Sequence, residues 1–232
     1  MCGRFTLIRL SDFLNLFPWI LPPDQEPSPR YNIAPTQAIA VAANRDQPKI
    51  EYFRWGLIPS WAKDPSIGVR MINARAETLA EKPAFRTALV RRRCLIPAHG
   101  FYEWRKSADG RTRTPMYVQM SDQRPFAFAG LWDVWRDTAG SEVPSCTIIT
   151  VEPNSLMRTI HGRMPAILGP DEGRVWLAPR EADLRQVLGL LAPYPADRMK
   201  ATVVSPLVNS PRNDLPQCIE AVQDGSSGDL FG

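Results

Sequence analysis

Cys2 is the residue with the most distinctive chemistry, because it stands directly after Met1. A small second residue permits removal of the initiator methionine, by the cell's aminopeptidase or by the protein itself, and the mature chain would then begin with cysteine. The α-amine and thiol of such a terminus have reference pKa values of about 8 and about 8.5, so both are partly nucleophilic near neutral pH. An aldehyde can form an imine with the amine, and the thiol can then close on the same carbon to give a thiazolidine ring. Taken alone, an incidental second-position cysteine is the simpler explanation.

Three further polar residues stand in segments that are unusual for a plain core. Asn73 lies in MINARAET, Glu103 lies between aromatic residues in GFYEW, and His161 lies in IHGRMP. Burial among aromatic rings raises the pKa of a carboxyl group and suits it to move protons, and a histidine titrates near neutral pH. Each residue also has a structural explanation: Asn73 as a turn or cap residue, Glu103 in an ion pair, and His161 as a loop histidine. His99 is a weaker candidate base, because it precedes a glycine in a predicted turn.

Positive charge is concentrated in the middle of the chain. The net charge is +4, but residues 54–113 alone hold 13 basic and 5 acidic side chains, which is typical of a polyanion-binding surface or of a solvated basic face. Flat rings between cations are what single-stranded nucleic acid requires, and this segment offers Trp55, Trp61 and Trp104. Where the neighbours are apolar we expect core tryptophans instead, namely Trp132, Trp135 and Trp176.

The hydrophobic pattern predicts one α+β domain over residues 1–220, with a mostly antiparallel, barrel-like β core and peripheral helices. The 23 prolines in 232 residues favour turns and short strands over a helical bundle. The predicted strands are 38–43, 49–55, 94–97, 100–105, 116–120, 126–132, 145–151 and 201–205. The predicted helices are a short one capped by Ser11 and Asp12, and 83–93, 153–160 and 181–191. Residues 221–232 are expected to form a loose tail.

Composition excludes several classes of protein. No window approaches the roughly 18 uncharged apolar residues of a membrane span, and charges interrupt the N-terminal segment where a secretory peptide needs an apolar run. The cysteines, Cys2, Cys94, Cys146 and Cys218, form no CxxC pair. We therefore expect reduced thiols in a protein of the bacterial cytoplasm, with no metal site and no cofactor. One cleft suffices for the chemistry described, which favours a monomer.

A set of segments carries a pattern far more specific than any single motif. The segments are MCGRF at 1–5, YNIAPTQ at 31–37, WGLIPSWAKD at 55–64, NARAET at 73–78, RCLIPAHGFYEW at 93–104, AFAGLWD at 127–133 and TIHGRMPAIL at 159–168. In this order, and over most of the chain, they resemble the SRAP (SOS-response-associated peptidase) family. VNSPRND at 208–214 also resembles the closing segment of that family.

The resemblance implies a single α+β domain with a basic cleft that shields abasic sites in single-stranded DNA by forming a covalent DNA–protein crosslink. Met1 is removed and Cys2 becomes the nucleophile, with self-removal of Met1 and a strand-cleaving lyase reaction as possible side activities. Asn73 positions the reacting amine and sugar, and Glu103 is the general acid/base. His161 donates the proton that opens the deoxyribose ring, and it supports reversal of the crosslink. The matching phosphate-contacting positions are Arg4, Arg75 and Arg163, and the matching cleft-lining positions are Pro35, Trp61 and Trp104.

Two other functions stay open on the sequence alone. Glutamine amidotransferases also begin Met-Cys-Gly and use the terminal cysteine with its own amine as base. Glutamine has no need, however, of the basic middle segment or of the interleaved tryptophans. The second alternative is a non-catalytic module that binds single-stranded DNA in a salt-dependent way while Cys2 stays unreactive.

Overall fold

The computed structural model describes residues 2–45, 47–178 and 183–222. Within these ranges the strands are β1 Phe5–Leu7, β2 Arg30–Ile33, β3 Ala38–Ala43, β4 Ile50–Trp55, β5 Asn73–Arg75, β6 Arg93–Ala98, β7 Gly100–Lys106, β8 Arg113–Met120, β9 Phe126–Arg136, β10 Glu142–Val151, β11 Met164–Pro165, β12 Ile167–Leu168 and β13 Met199–Val203. The α-helices are α1 Leu10–Leu16, α2 Pro83–Arg91, α3 Ser155–Arg158, α4 Pro170–Leu177 and α5 Leu184–Gly189. None of the helices in these ranges is long and apolar enough to cross a membrane.

Five strands close into a barrel. The antiparallel pairs β4–β3, β3–β6, β6–β9 and β9–β10 are joined into a ring by a parallel pairing between β10 and β4. A second, antiparallel sheet has the order β13-β8-β7-β1-β2. Phe5 of β1 contacts two barrel rings edge to face, Trp55 at 5.2 Å and Phe128 at 5.7 Å between centroids. These contacts bury the two sheets against one another and confirm the predicted single α+β domain with a barrel-like core.

The long strands lie where the hydrophobic runs predict them. Their exact ends depend on the strands with which they pair. All eight predicted strands are present, although the last begins two residues earlier, at Met199, and ends at Val203. The predicted helix at 83–93 forms as α2, with Pro83 in its first turn. Helix α4 and the short strands β1, β2, β5, β11 and β12 were not predicted. Helix α3 covers only Ser155–Arg158 of the predicted 153–160.

Two other expectations about the chain ends differ from the structure in detail. Helix α1 begins at Leu10 after Arg9, and no side chain caps it, so Ser11 and Asp12 lie inside the helix instead of before it. Ala221, in the expected tail, forms a β-bridge with Val204. Residues 223–232 of the expected tail lie outside the described residues.

The loop between β4 and β5 owes its shape to a close approach of two glycines. Gly56 has a φ of +124°, and a Cβ on it would lie 2.6 Å from the Gly68 carbonyl oxygen. A Cβ on Gly68 would in turn lie 2.7 Å from the Gly56 carbonyl oxygen. This contact folds back the segment that carries Trp61, whose side chain is 60% exposed.

We expect Gly56→Ala to lower the free energy of unfolding by about 2 kcal/mol or more, because it adds both backbone strain and a clash with another backbone. The control is Gly189→Ala, since nothing lies within 4 Å of a Cβ at this position in α5. Alanine favours a helix, so the control should be neutral or slightly stabilising. Chemical denaturation measures both variants, and equal stabilities would contradict this account of the loop.

His99 is packed under α1 and acts as part of the fold. Its Nδ1 accepts a hydrogen bond from the Ile8 backbone N–H at 3.2 Å, and its Nε2 lies 4.0 Å from the Asp12 carboxylate. The ring is buried, and this burial lowers the pKa of His99 to about 4. The position is thus occupied by a neutral histidine that serves as a hydrogen-bond acceptor.

The depressed pKa of His99 predicts a specific loss of stability in acid. In the unfolded chain the imidazole takes up a proton near pH 6.5, whereas the folded protein resists protonation until about pH 4. Stability from this group is therefore complete above pH 6.5 and falls by up to about 3 kcal/mol as the pH approaches 4. Denaturation of wild type and His99→Gln across this range measures the effect. The variant should show the flatter profile, and parallel profiles would contradict the assignment.

Candidate active site

Pairing between β1 and β7 brings Cys2 to Glu103. Phe5 pairs with Phe101, and the Tyr102 N–H donates to the Arg4 carbonyl at 2.9 Å. Continued toward the N-terminus, the same register sets the residue after Cys2 opposite Glu103. Cys2 is fully buried and Glu103 is 3% exposed.

Asn73 reaches the same place from the barrel side. It begins β5, which pairs in parallel with β10, where its partner is Ile148. Its Nδ2 donates to the Cys2 carbonyl at 2.8 Å. Its Oδ1 is buried and has no hydrogen-bond partner among the described residues. Asn73 thus fixes the Cys2 backbone and keeps one acceptor free for a ligand.

His161 completes the group from the turn after α3. Its Nδ1 lies 4.0 Å from Glu103 Oε1 and accepts a hydrogen bond from the Arg163 backbone N–H at 3.1 Å. The same nitrogen lies 3.3 Å from the Arg163 carbonyl oxygen, so both backbone groups of Arg163 face the ring edge. With its side chain 32% exposed, His161 borders solvent while Glu103 does not.

The environment of Cys2 opposes ionisation of its thiol. Burial raises the pKa of Cys2 far above its usual value, and the neighbouring Glu103 charge raises this pKa further. The Sγ atom is 3.8 Å from the Arg4 carbonyl oxygen, its hydrogen-bond acceptor. The thiol is therefore neutral at physiological pH, and a nearby base must take its proton before it can act as a thiolate.

The residues expected to line a cleft differ in how firmly they are held. Trp61 stands out from its loop, whereas the Trp104 Nε1–H donates to Asn209 Oδ1 at 2.8 Å. Pro35 is half-buried and precedes Thr36, whose φ of +73° is strained for a β-branched residue. Backbone strain of this kind concentrates at binding sites.

Two of the three arginines expected to contact phosphate are bonded within the protein. The Arg4 guanidinium donates to Asn32 Oδ1 at 3.0 Å and to the carbonyls of Val208 and Asn209. The Arg163 guanidinium donates to the carboxylates of Glu77 and Glu152 and to the Thr150 carbonyl. Arg75 is exposed, and no hydrogen bond of its side chain occurs within the part of the chain that the structure describes.

The expectation that Trp55 belongs to a nucleic-acid surface is wrong, and part of the basic charge of residues 54–113 is buried. Trp55 is fully buried with its Nε1–H on the Ile72 carbonyl, so it belongs to the core instead of a nucleic-acid surface. Arg93 is 2% exposed and donates to backbone carbonyls at the ends of α2 and α4. Its charge therefore satisfies helix ends and adds little to a surface field. Trp132 and Trp176 are buried, as expected, whereas Trp135, also expected in the core, is only half-buried.

Asn32 is an organising residue that sequence reasoning missed. It is completely buried, and its Nδ2 donates to carbonyls of the closing segment at Val208, Ser210 and Asn213. The Asp214 carboxylate reaches back to the backbone N–H of Asn32 at 2.8 Å. Both residues lie in segments that resemble the SRAP family, YNIAPTQ and VNSPRND, and this resemblance is the signal that could have identified them.

The other three cysteines form no disulfide bond. Cys94, Cys146 and Cys218 are buried free thiols. Among the residues that the structure describes, no three His, Cys, Asp or Glu side chains come together as metal ligands. The chemistry that the group can carry out is thus that of one sulfur nucleophile, one amide, one carboxylate and one imidazole.

Known proteins resemble this chain over most of its length. The family model described as SOS response associated peptidase (SRAP) matches residues 1–211. The "Abasic site processing protein YoqW" of Bacillus subtilis (strain 168) is 48% identical over 226 residues, 95% of this chain and 100% of that protein. The "Abasic site processing protein HMCES" of Xenopus tropicalis is 35% identical over 190 residues, 73% of this chain and 56% of that protein.

A solved structure shows the same fold. A crystal structure of a protein from Bacteroides thetaiotaomicron superposes with a TM-score of 0.77 at 32% sequence identity, and the match covers 84% of this chain and 86% of that one. The family match extends over the strands and turns that carry Cys2, Asn73, Glu103 and His161. This chain belongs to the SOS response associated peptidase (SRAP) family.

Proposed function

We propose that the protein binds single-stranded DNA and forms a covalent thiazolidine crosslink with abasic sites through Cys2, after removal of Met1. The observation that carries this proposal is the convergence of Cys2, Asn73, Glu103 and His161 from four separate segments. The names of relatives such as YoqW, which process abasic sites, support the choice of substrate. The crosslink would shield the lesion for as long as it lasts.

The first steps use the amine of Cys2. An abasic site is a masked aldehyde, and a proton from His161 to the ring oxygen helps the deoxyribose ring to open. While Met1 is attached, the Cys2 nitrogen is an amide and cannot form an imine. Once freed, the amine adds to C1′, and Glu103 moves the protons that allow water to leave. Asn73 holds the amine and sugar together through its amide.

The last step uses the thiol. The sulfur adds to the imine carbon, the thiol proton passes to the nitrogen through a neighbouring base, and a five-membered ring results. No atoms are lost in this closure, so the whole crosslink releases one water. The imine also permits β-elimination, which gives strand cleavage as a side reaction. Ring closure diverts the imine from that path, and the reverse reaction with His161 as acid would release the DNA.

Single-stranded DNA fits this site better than duplex DNA, because the unpairing cost is absent. In this proposal Trp61 and Trp104 supply stacking surfaces, Pro35 lines the cleft beside the lesion, and Arg75 supplies a charge for phosphate. Arg4 and Arg163 lie near the reacting group and stay candidates for phosphate contact. One such surface is sufficient for the proposed reaction, which favours a monomer.

Replacement of Cys2 separates the roles of amine and thiol. Wild type should give an SDS-resistant band with single-stranded DNA that bears one abasic site, and its intact mass should equal protein without Met1 plus DNA minus one water. Cys2→Ala should give no such band, because an imine hydrolyses. Borohydride should trap the imine of this variant, since its terminal amine remains.

The matched control is Cys218→Ala, which removes another buried thiol and should crosslink like wild type. Crosslinking of Cys2→Ala at the wild-type level without a reductant would contradict the thiazolidine. Release of ammonia from glutamine without any DNA adduct would favour the amidohydrolase instead.

Trp61 is expected to stack on a base. Trp61→Ala should weaken binding to single-stranded DNA by about 1–3 kcal/mol, and Trp61→Phe should retain most of the affinity. Because stacking does not depend on the lesion, intact and abasic strands should lose affinity equally. Fluorescence anisotropy measures both, with Tyr52→Ala as a control at another exposed aromatic residue. An unchanged affinity for Trp61→Ala would remove this residue from the DNA surface.

A further inference from the structure

The Arg163 guanidinium forms hydrogen bonds to acceptors within the protein. Nη1 donates to Glu77 Oε1 at 2.9 Å and to Glu152 Oε1 at 2.7 Å. Nη2 donates to Glu77 Oε2 at 2.9 Å and to the Thr150 carbonyl at 2.7 Å. These four bonds occupy both terminal nitrogens, and the side chain is only 12% exposed. Nε has no hydrogen-bond partner among the described residues but is buried, so a phosphate at the terminal nitrogens would have to displace one of these acceptors.

Glu77 is the acceptor that makes a bidentate contact with the Arg163 guanidinium. Its two oxygens face the two terminal nitrogens, the geometry in which a carboxylate holds a guanidinium most firmly. Glu152 contributes one oxygen from a side chain that is 71% exposed, so its contribution is weaker. Glu77 lies four residues after Asn73, in the 3₁₀ turn Ala76–Thr78 that follows β5.

The same arginine is tied to the proposed proton donor. The Arg163 backbone N–H lies 3.1 Å from His161 Nδ1 and the Arg163 carbonyl oxygen lies 3.3 Å from it, so the Arg163 backbone positions the ring. Immediately after Arg163, β11 pairs with β10 at Val151. The Glu77–Arg163 pair therefore joins the segment that holds Asn73 to the segment that holds His161.

We infer that Glu77 is a positioning residue for the crosslinking reaction, which through Arg163 keeps the His161 imidazole beside Glu103. This inference rests on the proposed function and adds a residue to it. It also gives Arg163 a different task from the phosphate contact expected of it. The two tasks predict opposite effects when the negative charge of Glu77 is removed.

The deciding variant is Glu77→Gln in the full-length protein. If Arg163 binds phosphate, loss of a competing carboxylate frees the guanidinium, and DNA should bind more tightly without slower chemistry. If Glu77 positions His161, the rate of adduct formation at saturating abasic single-stranded DNA should fall by between about tenfold and a hundredfold. The dissociation constant for the same strand should then stay equal or become lower.

Glu142→Gln is the matched control. It removes the same charge from a carboxylate that pairs with Arg136 at the β9–β10 turn, so it should react at the wild-type rate. Glu77→Asp keeps the charge but is too short to hold both nitrogens at the present distances. It should therefore also react slowly, with an unchanged dissociation constant. The double variant Glu77→Gln/Arg163→Gln should be no slower than Arg163→Gln alone, because both changes break one contact.

The inference is overturned if Glu77→Gln and Glu77→Asp react at the wild-type rate, or if a slower rate is fully restored by more DNA. Rate losses that multiply in the double variant would overturn it too. Wild type is run alongside: without a wild-type adduct the proposed function itself fails. A wild-type adduct combined with unaffected Glu77 variants defeats only the positioning role. Thermal unfolding of each variant shows that it is folded.

Discussion

The hydrogen bonding of β10 along both of its edges is the constraint on which the rest of the structure depends. The strand closes the barrel by pairing with β4 and β9, and its last residues then pair with β5 and β11. β5 carries Asn73, and β11 follows Arg163, so one strand sets the spacing of the two segments beside Cys2. A slip of one residue would turn these side chains to the opposite face, which makes the register an all-or-none condition for the site.

Burial of the reacting groups follows from that architecture and shapes the chemistry. Cys2 and Glu103 lie where the second sheet meets the barrel, away from water. A lone charge in such surroundings is costly, so the thiol stays neutral, and in the proposed crosslink its proton leaves as the sulfur bonds to carbon. The same low dielectric strengthens each hydrogen bond that the site offers to a substrate. The free acceptor of Asn73 is therefore worth more here than it would be on the surface.

The sequence predicts the elements that have a local hydrophobic pattern. It does not predict elements that form only because a distant strand pairs with them. The long barrel strands were located because runs of apolar and β-branched residues mark them. β5 and β11 have three and two residues, too few for a periodicity, and exist because β10 offers hydrogen bonds. The site residues came from recognised segments, and the structure places Cys2, Asn73, Glu103 and His161 together. Asn32 and Glu77 escaped notice, since a polar residue gains its role from partners distant in the chain.

The number of basic residues in a segment likewise does not show how many of them contribute to a positive surface. Of the 13 basic side chains in residues 54–113, Arg93 satisfies buried carbonyls and Arg92 forms an ion pair with Asp133. The positive surface therefore depends on exposed residues such as Lys63 and Arg75. Arginines that bond within the protein stabilise the fold, whereas exposed cations contribute to the surface charge. The number of basic residues alone does not distinguish the two groups.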